Sequence, residues 1–163
     1  MKAETIGNIL TFLKEKEGKE LPNHWNIIER LETHPYDVQF RYEGDLNLNN
    51  RNITKLPNDL HVDGNLYLYR NKQLTKLPDK LYVKFNLNLR DCGQLTELPD
   101  DLFVGGSLIL IDSNITELPY NLYVGSHLYI GGTPLANKYT DDEIIEMIDS
   151  KDGILIGHIR KYT

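Results

Sequence analysis

The side chains with the richest chemistry in this 163-residue sequence are one cysteine, Cys92, and five histidines, His24, His34, His61, His127 and His158. A cysteine thiolate acts as nucleophile or metal ligand, and histidines at close helical spacing, or beside a cysteine cluster, hold zinc. Neither pattern is present. The histidines are scattered, and Cys92 falls at a position that asparagine, serine or threonine fills elsewhere in a repeating pattern. A small, inert, buried side chain is expected there. The sequence has no glycine-rich phosphate loop, no serine-centred nucleophile elbow and no carboxylate pair that its register would set around a cleft. These residues argue against an enzyme and imply no metal and no cofactor.

The chemistry that remains is recognition. Two rows of side chains recur at one residue per repeat and are expected to point outward. One row holds His61, Tyr82, Phe103 and Tyr123. The other runs through Asn47, Tyr67, Asn88, Ile109 and Tyr129, with Asn49, Tyr69, Arg90, Ile111 and Gly131 two residues further on. Tyrosine and arginine around an apolar centre dominate interface energetics, and contiguous exposed apolar surface marks a partner. Tyr67, Tyr69, Arg90, Ile109, Ile111 and Tyr129 are therefore the expected protein-binding face. The His61, Tyr82, Phe103, Tyr123 row is a second candidate face, and its competing role is cross-strand stacking worth about 0.2 to 1 kcal/mol per pair.

The elements that position these rows are repeats. Leu-Pro recurs at Leu56-Pro57, Leu77-Pro78, Leu98-Pro99 and Leu118-Pro119, in steps of 21, 21 and 20 residues. Each unit carries alternate apolar positions, as in Leu60, Val62, Gly64, Leu66 and Leu68. Period-two alternation puts that set inside and its neighbours outside. The small residue in the middle (Gly64, Gly106, Ser126) suits a bend between two short strands, because glycine tolerates unusual backbone angles. Phe85 breaks the rule, and a different bend is expected there. Ile53, Leu74, Leu95 and Ile115, with Leu56, Leu77, Leu98 and Leu118, add two inward groups per unit before proline ends the run. One such coil cannot bury its own edge, so stability must come from stacking. At about 4.8 Å per strand, about five coils make a stack roughly 20 to 25 Å long.

The ends of such a stack need cover. Ile6, Leu10 and Leu13, and then Trp25, Ile28 and Leu31 after Pro22-Asn23, have helical spacing and predict a two-helix N-terminal cap over residues 1–36. The solenoid is expected over 37–135, with the segment Phe40, Tyr42, Gly44 adding a half-coil at its front. Residues 136–163 read as a C-terminal cap: a helix opened by a Thr140/Glu143 capping box and burying Ile144, Ile145 and Ile148, then one strand after Gly153. The whole is one structural domain of α+β class.

Net charge is −6 and the basic residues form no dense run, which argues against nucleic acid as partner. Arg51, Lys55, Arg70, Lys72, Lys76, Lys80 and Lys84 precede Asp91, Glu97, Asp100, Asp101, Asp112 and Glu117. That polarity would orient a charged partner. With a single cysteine, no uninterrupted apolar stretch in Met1 to Leu13 and no run of about 20 apolar residues, the expected location is the cytoplasm and no membrane is involved.

Leu-x-Leu-x-x-Asn/Cys/Thr, running from Leu68 to Asn71, Leu89 to Cys92, Leu110 to Ser113 and Ile130 to Thr133, resembles the leucine-rich-repeat core, and the short Leu-Thr-x-Leu-Pro unit looks like the bacterial effector subclass. The Leu-x-Val-Gly-Gly-x-Leu-x-Leu rhythm and the ending TPLANKYTDDEIIEMI with GHIRK are similar to short leucine-rich-repeat proteins of tailed bacteriophages. The resemblance covers about residues 40–160. Arg51 at the turn of the first unit and the extra Leu-x-Val strand depart from the repeat pattern. The resemblance implies a protein-protein interaction module in the cytoplasm of an infected bacterium, one form of which is an anti-CRISPR or other anti-defence inhibitor acting by occlusion. The alternative is a structural or assembly protein that forms a homo-oligomer or docks on a virion.

Overall fold

The computed structural model describes residues 25–29 and 38–162. Thirteen short strands and two helices follow one another in these residues. Strands β1 (Trp25–Glu29), β2 (Val38–Tyr42) and β3 (Leu46–Asn47) open the chain. The coils then repeat as pairs: β4 (Leu60–Val62) with β5 (Leu66–Tyr67), β6 (Tyr82–Val83) with β7 (Leu87–Asn88), β8 (Phe103–Val104) with β9 (Leu108–Ile109), and β10 (Tyr123–Val124) with β11 (Leu128–Tyr129). Helices α1 (Pro134–Lys138) and α2 (Asp141–Ser150) follow, then β12 (Ile154–Leu155) and β13 (Ile159–Arg160).

The first strand of every pair joins one sheet, in the order β1-β2-β4-β6-β8-β10-β12, and the second strand joins another, in the order β3-β5-β7-β9-β11-β13. Except for β1 against β2, every pairing is parallel, and each coil lies directly on the next. The molecule is a β-solenoid of about four complete coils with partial turns at either end, against the five expected from the repeats.

The alternate apolar positions form one continuous core: Leu60, Val62, Leu66 and Leu68 have no exposed surface, and their counterparts in the next three coils are at 0 or 1%. Return segments close each coil with Leu74 and Leu77, Leu95 and Leu98, or Ile115 and Leu118, all buried. The chain rounds one corner with Arg70, Asp91 and Asp112 at positive φ and another with Asp59, Lys80, Asp101 and Asn121 at positive φ. These are mostly Asp and Asn, which tolerate the left-handed region better than other residues with a β-carbon.

Several expectations change. The helical spacing of Trp25 and Ile28 is carried by a strand, Trp25–Glu29, antiparallel to β2. A strand there satisfies the backbone groups at the sheet edge, a demand that residue spacing does not display. Leu31, with Ile6, Leu10 and Leu13 of the other expected helix, lies outside the described residues. The mid-coil glycines do not serve unusual angles: Gly64 and Gly106 are not at positive φ. Their reason is close approach, since a β-carbon on Gly106 would meet the Asn86 side chain at 2.6 Å and the Phe85 backbone at 2.9 Å. Phe85 keeps the same bend as its neighbours and turns its ring outward, 48% exposed, beneath the Lys84 ammonium.

Residues 154–160 form two strands, not one. β12 pairs with β10 and β13 with β11, so the segment repeats the coil's front half with Gly157 at the bend. Ahead of it, Thr140 accepts from the Glu143 amide and Glu143 accepts from the Thr140 amide, which fixes the start of α2. Ile144 and Ile148 are buried by α2, whereas Ile145 is 45% exposed. Among the described residues no helix is long and apolar enough to cross a membrane.

Candidate functional site

Parallel, in-register stacking turns one outward residue per coil into a line. On the first sheet, Arg41 pairs with His61, His61 with Tyr82, Tyr82 with Phe103, Phe103 with Tyr123, and Tyr123 with Ile154. The four expected rings stack face to face, with centroids 4.0, 4.6 and 4.6 Å apart and planes within 16° of parallel. Consecutive rings cover one another's faces, leaving their edges to solvent. Sequence reasoning found these four residues and missed the two ends of the row, Arg41 and Ile154, which belong to half-coils with weaker repeat signatures.

At the front of the row Arg41 makes a two-pronged contact with Asp63, Nε to Oδ2 at 2.6 Å and Nη2 to Oδ1 at 3.1 Å, and His61 Nε2 lies 3.1 Å from the same Oδ1. The hydrogen bond from Arg41 is the main reason the Asp63 carboxyl is held below the usual carboxylate range, and the Arg41 guanidinium is raised by the same bond. Asp63 is thus a fixed anion that aligns the Arg41 and His61 side chains.

On the second sheet, Asn47, Tyr67, Asn88, Ile109 and Tyr129 stand in register, and Arg160 extends the line. Tyr67, Ile109 and Tyr129 are partly exposed. Tyr69 and Arg90 are partly exposed as well, with the Arg70 guanidinium 4.9 Å from the Tyr69 ring centre and Arg90 Nη2 3.6 Å from Asp112. Ile111 differs from expectation: it is 7% exposed and belongs with the buried side chains. The coil carrying Gly131 lies against it, with the Asp112 amide bonded to the Gly131 carbonyl, and the tail crosses Gly131 so closely that a β-carbon there would meet Tyr162. What the row offers a partner is two tyrosines, an isoleucine and flanking amides and guanidinium, which suits it to burying an apolar surface with a polar rim.

Between the two sheets runs a polar ladder that the sequence reading missed. Asp45 Oδ1 accepts from the Asn65 backbone at 2.7 Å, Asn65 Oδ1 from the Asn86 backbone at 3.0 Å, and Asn86 Oδ1 from the Ser107 backbone at 2.7 Å. His127 Nδ1 then accepts from the His158 backbone at 3.1 Å. The signal was present as a polar residue at one fixed offset per coil, but its role is to satisfy backbone donors where the chain bends away from strand pairing.

The inward turn positions are structural. Asn71 donates from Nδ2 to the Leu48 and Leu68 carbonyls, both at 2.8 Å, and Thr133 caps α1 through the Ala136 amide. Cys92 is fully buried with Sγ 3.2 Å from the Leu68 carbonyl, and burial pushes its thiol up to about 11, which keeps it protonated and unreactive. Ser113, buried at the next such position, has no hydrogen-bond partner for its hydroxyl among the described residues. Among these residues no group of three or more His, Cys, Asp and Glu side chains converges to hold a metal ion. His24 and His34 lie outside them.

No protein-family profile, curated protein or solved structure matches the chain.

Proposed function

We propose that the chain is a non-enzymatic binding module that holds another protein on the outer face of its second sheet, through Tyr67, Ile109 and Tyr129 with Tyr69 and Arg90 beside them. The observation that carries this reading is the register: β5, β9 and β11 set Tyr67, Ile109 and Tyr129 in one line, partly exposed, on a rigid stack. Display from strands paired on both sides lowers the entropy cost of binding, because the backbone that carries these side chains is already fixed. The resemblance to phage repeat proteins suggests that the partner is a protein of the infected cell's defence machinery, occluded by the bound solenoid.

The test is affinity purification of the tagged protein from its native host, followed by titration of the recovered partner. Wild type is expected to recover a stoichiometric protein whose dissociation constant rises at least about tenfold on Ile109→Asp, the size of effect that truncating an interface centre produces. Recovery of nothing but further copies of the chain would replace this reading with self-assembly. Equal binding by wild type and Ile109→Asp would move the interface to the His61, Tyr82, Phe103, Tyr123 row.

A further inference from the structure

In each complete coil the inward side chains of the two strands are closed from behind by the return segment, as Leu74 and Leu77 or Ile115 and Leu118 do. The half-coil β12-β13 has its inward positions at Leu155 and Ile159, but behind them is a cleft of about 510 Å³. Its floor is Leu155, Ile159 and Ile148, one wall is the face of α2 carrying Asp141, Ile145 and Asp149, and the other is His158 and Arg160. β12 and β13 are the last strands of their sheets among the described residues. Of the apolar side chains that line it, Ile145 is 45% exposed; Ile154 and Ile156, at 51% and 64%, stand on the outer side of the half-coil.

We infer that this cleft is a second docking site, distinct from the outer-face row, for an extended basic segment of a partner protein. The segment would lie where a return segment lies in the coils before it and lower two apolar side chains, three residues apart, onto Leu155, Ile159 and Ile148. An exposed apolar side chain beside a partly covered apolar floor marks a surface that a partner segment covers.

The charge of the wall selects the occupant. Helix α2 carries Asp141, Asp142, Glu143, Glu146 and Asp149 and no cationic side chain; Asp141 and Asp149 are the two that line the cleft, with Arg160 on the wall across from them. Asp141 is paired with Lys161 at 3.0 Å and Glu143 is held by Thr140, whereas the Asp149 carboxylate, on the cleft wall, has no hydrogen bond or ion pair among the described residues. A cationic side chain beside the apolar pair would meet Asp149.

The chain's own return segments supply matched probes. Residues 70–80, RNKQLTKLPDK, have the Leu-x-x-Leu spacing with four cationic side chains and one carboxylate; residues 91–101, DCGQLTELPDD, share the central QLTxLP with four carboxylates and no cation. Both are made as labelled peptides, the second with serine for cysteine, and titrated into the full protein by fluorescence anisotropy at low ionic strength. The basic peptide is expected to bind at least about tenfold more tightly than the acidic one, the sum of several weak ionic contacts, with the gap narrowing as salt is added. Ile145→Lys, at an exposed position, should abolish binding of the basic peptide, and Asp149→Asn should weaken it; thermal melts confirm that both variants fold. Equal affinity for both peptides, binding by neither, or binding that survives Ile145→Lys overturns the proposal. End-to-end association of the protein that Ile145→Lys disrupts would also overturn it, since the occupant would then be a second copy. Ile109→Asp is expected to leave peptide binding unchanged, so failure here is separable from failure of the outer-face reading.

Discussion

Asn71 holds Ile53 in place across the core: its Oδ1 accepts the Ile53 backbone N–H at 3.1 Å, and the Arg51 N–H at 3.2 Å, from the preceding coil. With Nδ2 donating to two carbonyls, this one fully buried amide ties two coils together through four hydrogen bonds.

Asn71→Ala should therefore be among the most destabilising single changes in the front half of the stack. It strands the buried Ile53 backbone donor, at about 1 to 3 kcal/mol for a buried group left unpaired, and removes the acceptor of the part-buried Arg51 donor as well. Urea unfolding should show a lower midpoint with an unchanged slope. A loss below about 1 kcal/mol would mean that water or a shifted backbone replaces the amide.

Ile109 and Ile111 are two residues apart on one strand line, yet they should respond oppositely to charge. Ile109 is partly exposed, and Ile109→Asp is expected to leave the fold near wild-type stability. Ile111 is 7% exposed, and Ile111→Asp would bury an unpaired carboxylate, a change costing about 3 kcal/mol or more. Thermal melts of the two variants decide it; equal melting temperatures would refute the assigned burial. The same contrast makes Ile109, not Ile111, the informative probe of the outer face.

The sequence makes the stack legible because its signal is redundant: Leu66, Leu87, Leu108 and Leu128 occupy one position in four coils, and all four are fully buried. Where the repeat thins, the reading fails for identifiable reasons. Trp25 and Ile28 fit a helical period, and only the partner strand Val38–Tyr42 makes them part of a sheet. In β12-β13 the outward Ile154 and Ile156 are as apolar as the inward Leu155 and Ile159, so alternation that announces the other half-coils is absent and the bend at Gly157 goes unseen. Ile111 looks outward by register, and its burial depends on a neighbouring coil and a tail that come from elsewhere in the chain. The first aromatic row was readable because four rings recur at one offset; the cleft behind Leu155 was not, because it is formed by a helix and a half-coil whose relative placement no spacing encodes.

The aromatic row gives an energetic prediction. Tyr82 and Phe103 rings lie 4.6 Å apart and 2° from parallel. A double-mutant cycle with Tyr82→Leu and Phe103→Leu is expected to return a coupling of about 0.5 to 1.5 kcal/mol beyond the loss of buried area. Additive effects would show that the rings are stacked by their backbones without attracting one another, and would leave the row freer to serve a partner.

Acid should weaken the front of the stack through Asp63. Its carboxyl is depressed in the folded protein, first by the hydrogen bond from Arg41 and further by the Arg41 and His61 charges. A carboxyl with a lower value folded than unfolded contributes stability at pH above the unfolded value, about 4, and loses that contribution as pH falls through the folded value below it. Glu143 is likewise depressed, by the Thr140 backbone and then its hydroxyl, and acts in the same direction at the other end of the molecule. Unfolding midpoints measured from pH 6 downward should hold steady until about pH 4 and then fall. Asp63→Asn should lower stability above pH 4 and flatten the acid limb, because the neutral amide no longer gains from the Arg41 charge. Arg41→Lys should do so partly, since an ammonium cannot reproduce the two-pronged contact. Parallel acid limbs in wild type and Asp63→Asn would show that the Arg41–Asp63 pair, close as it is, adds nothing to stability through its charge.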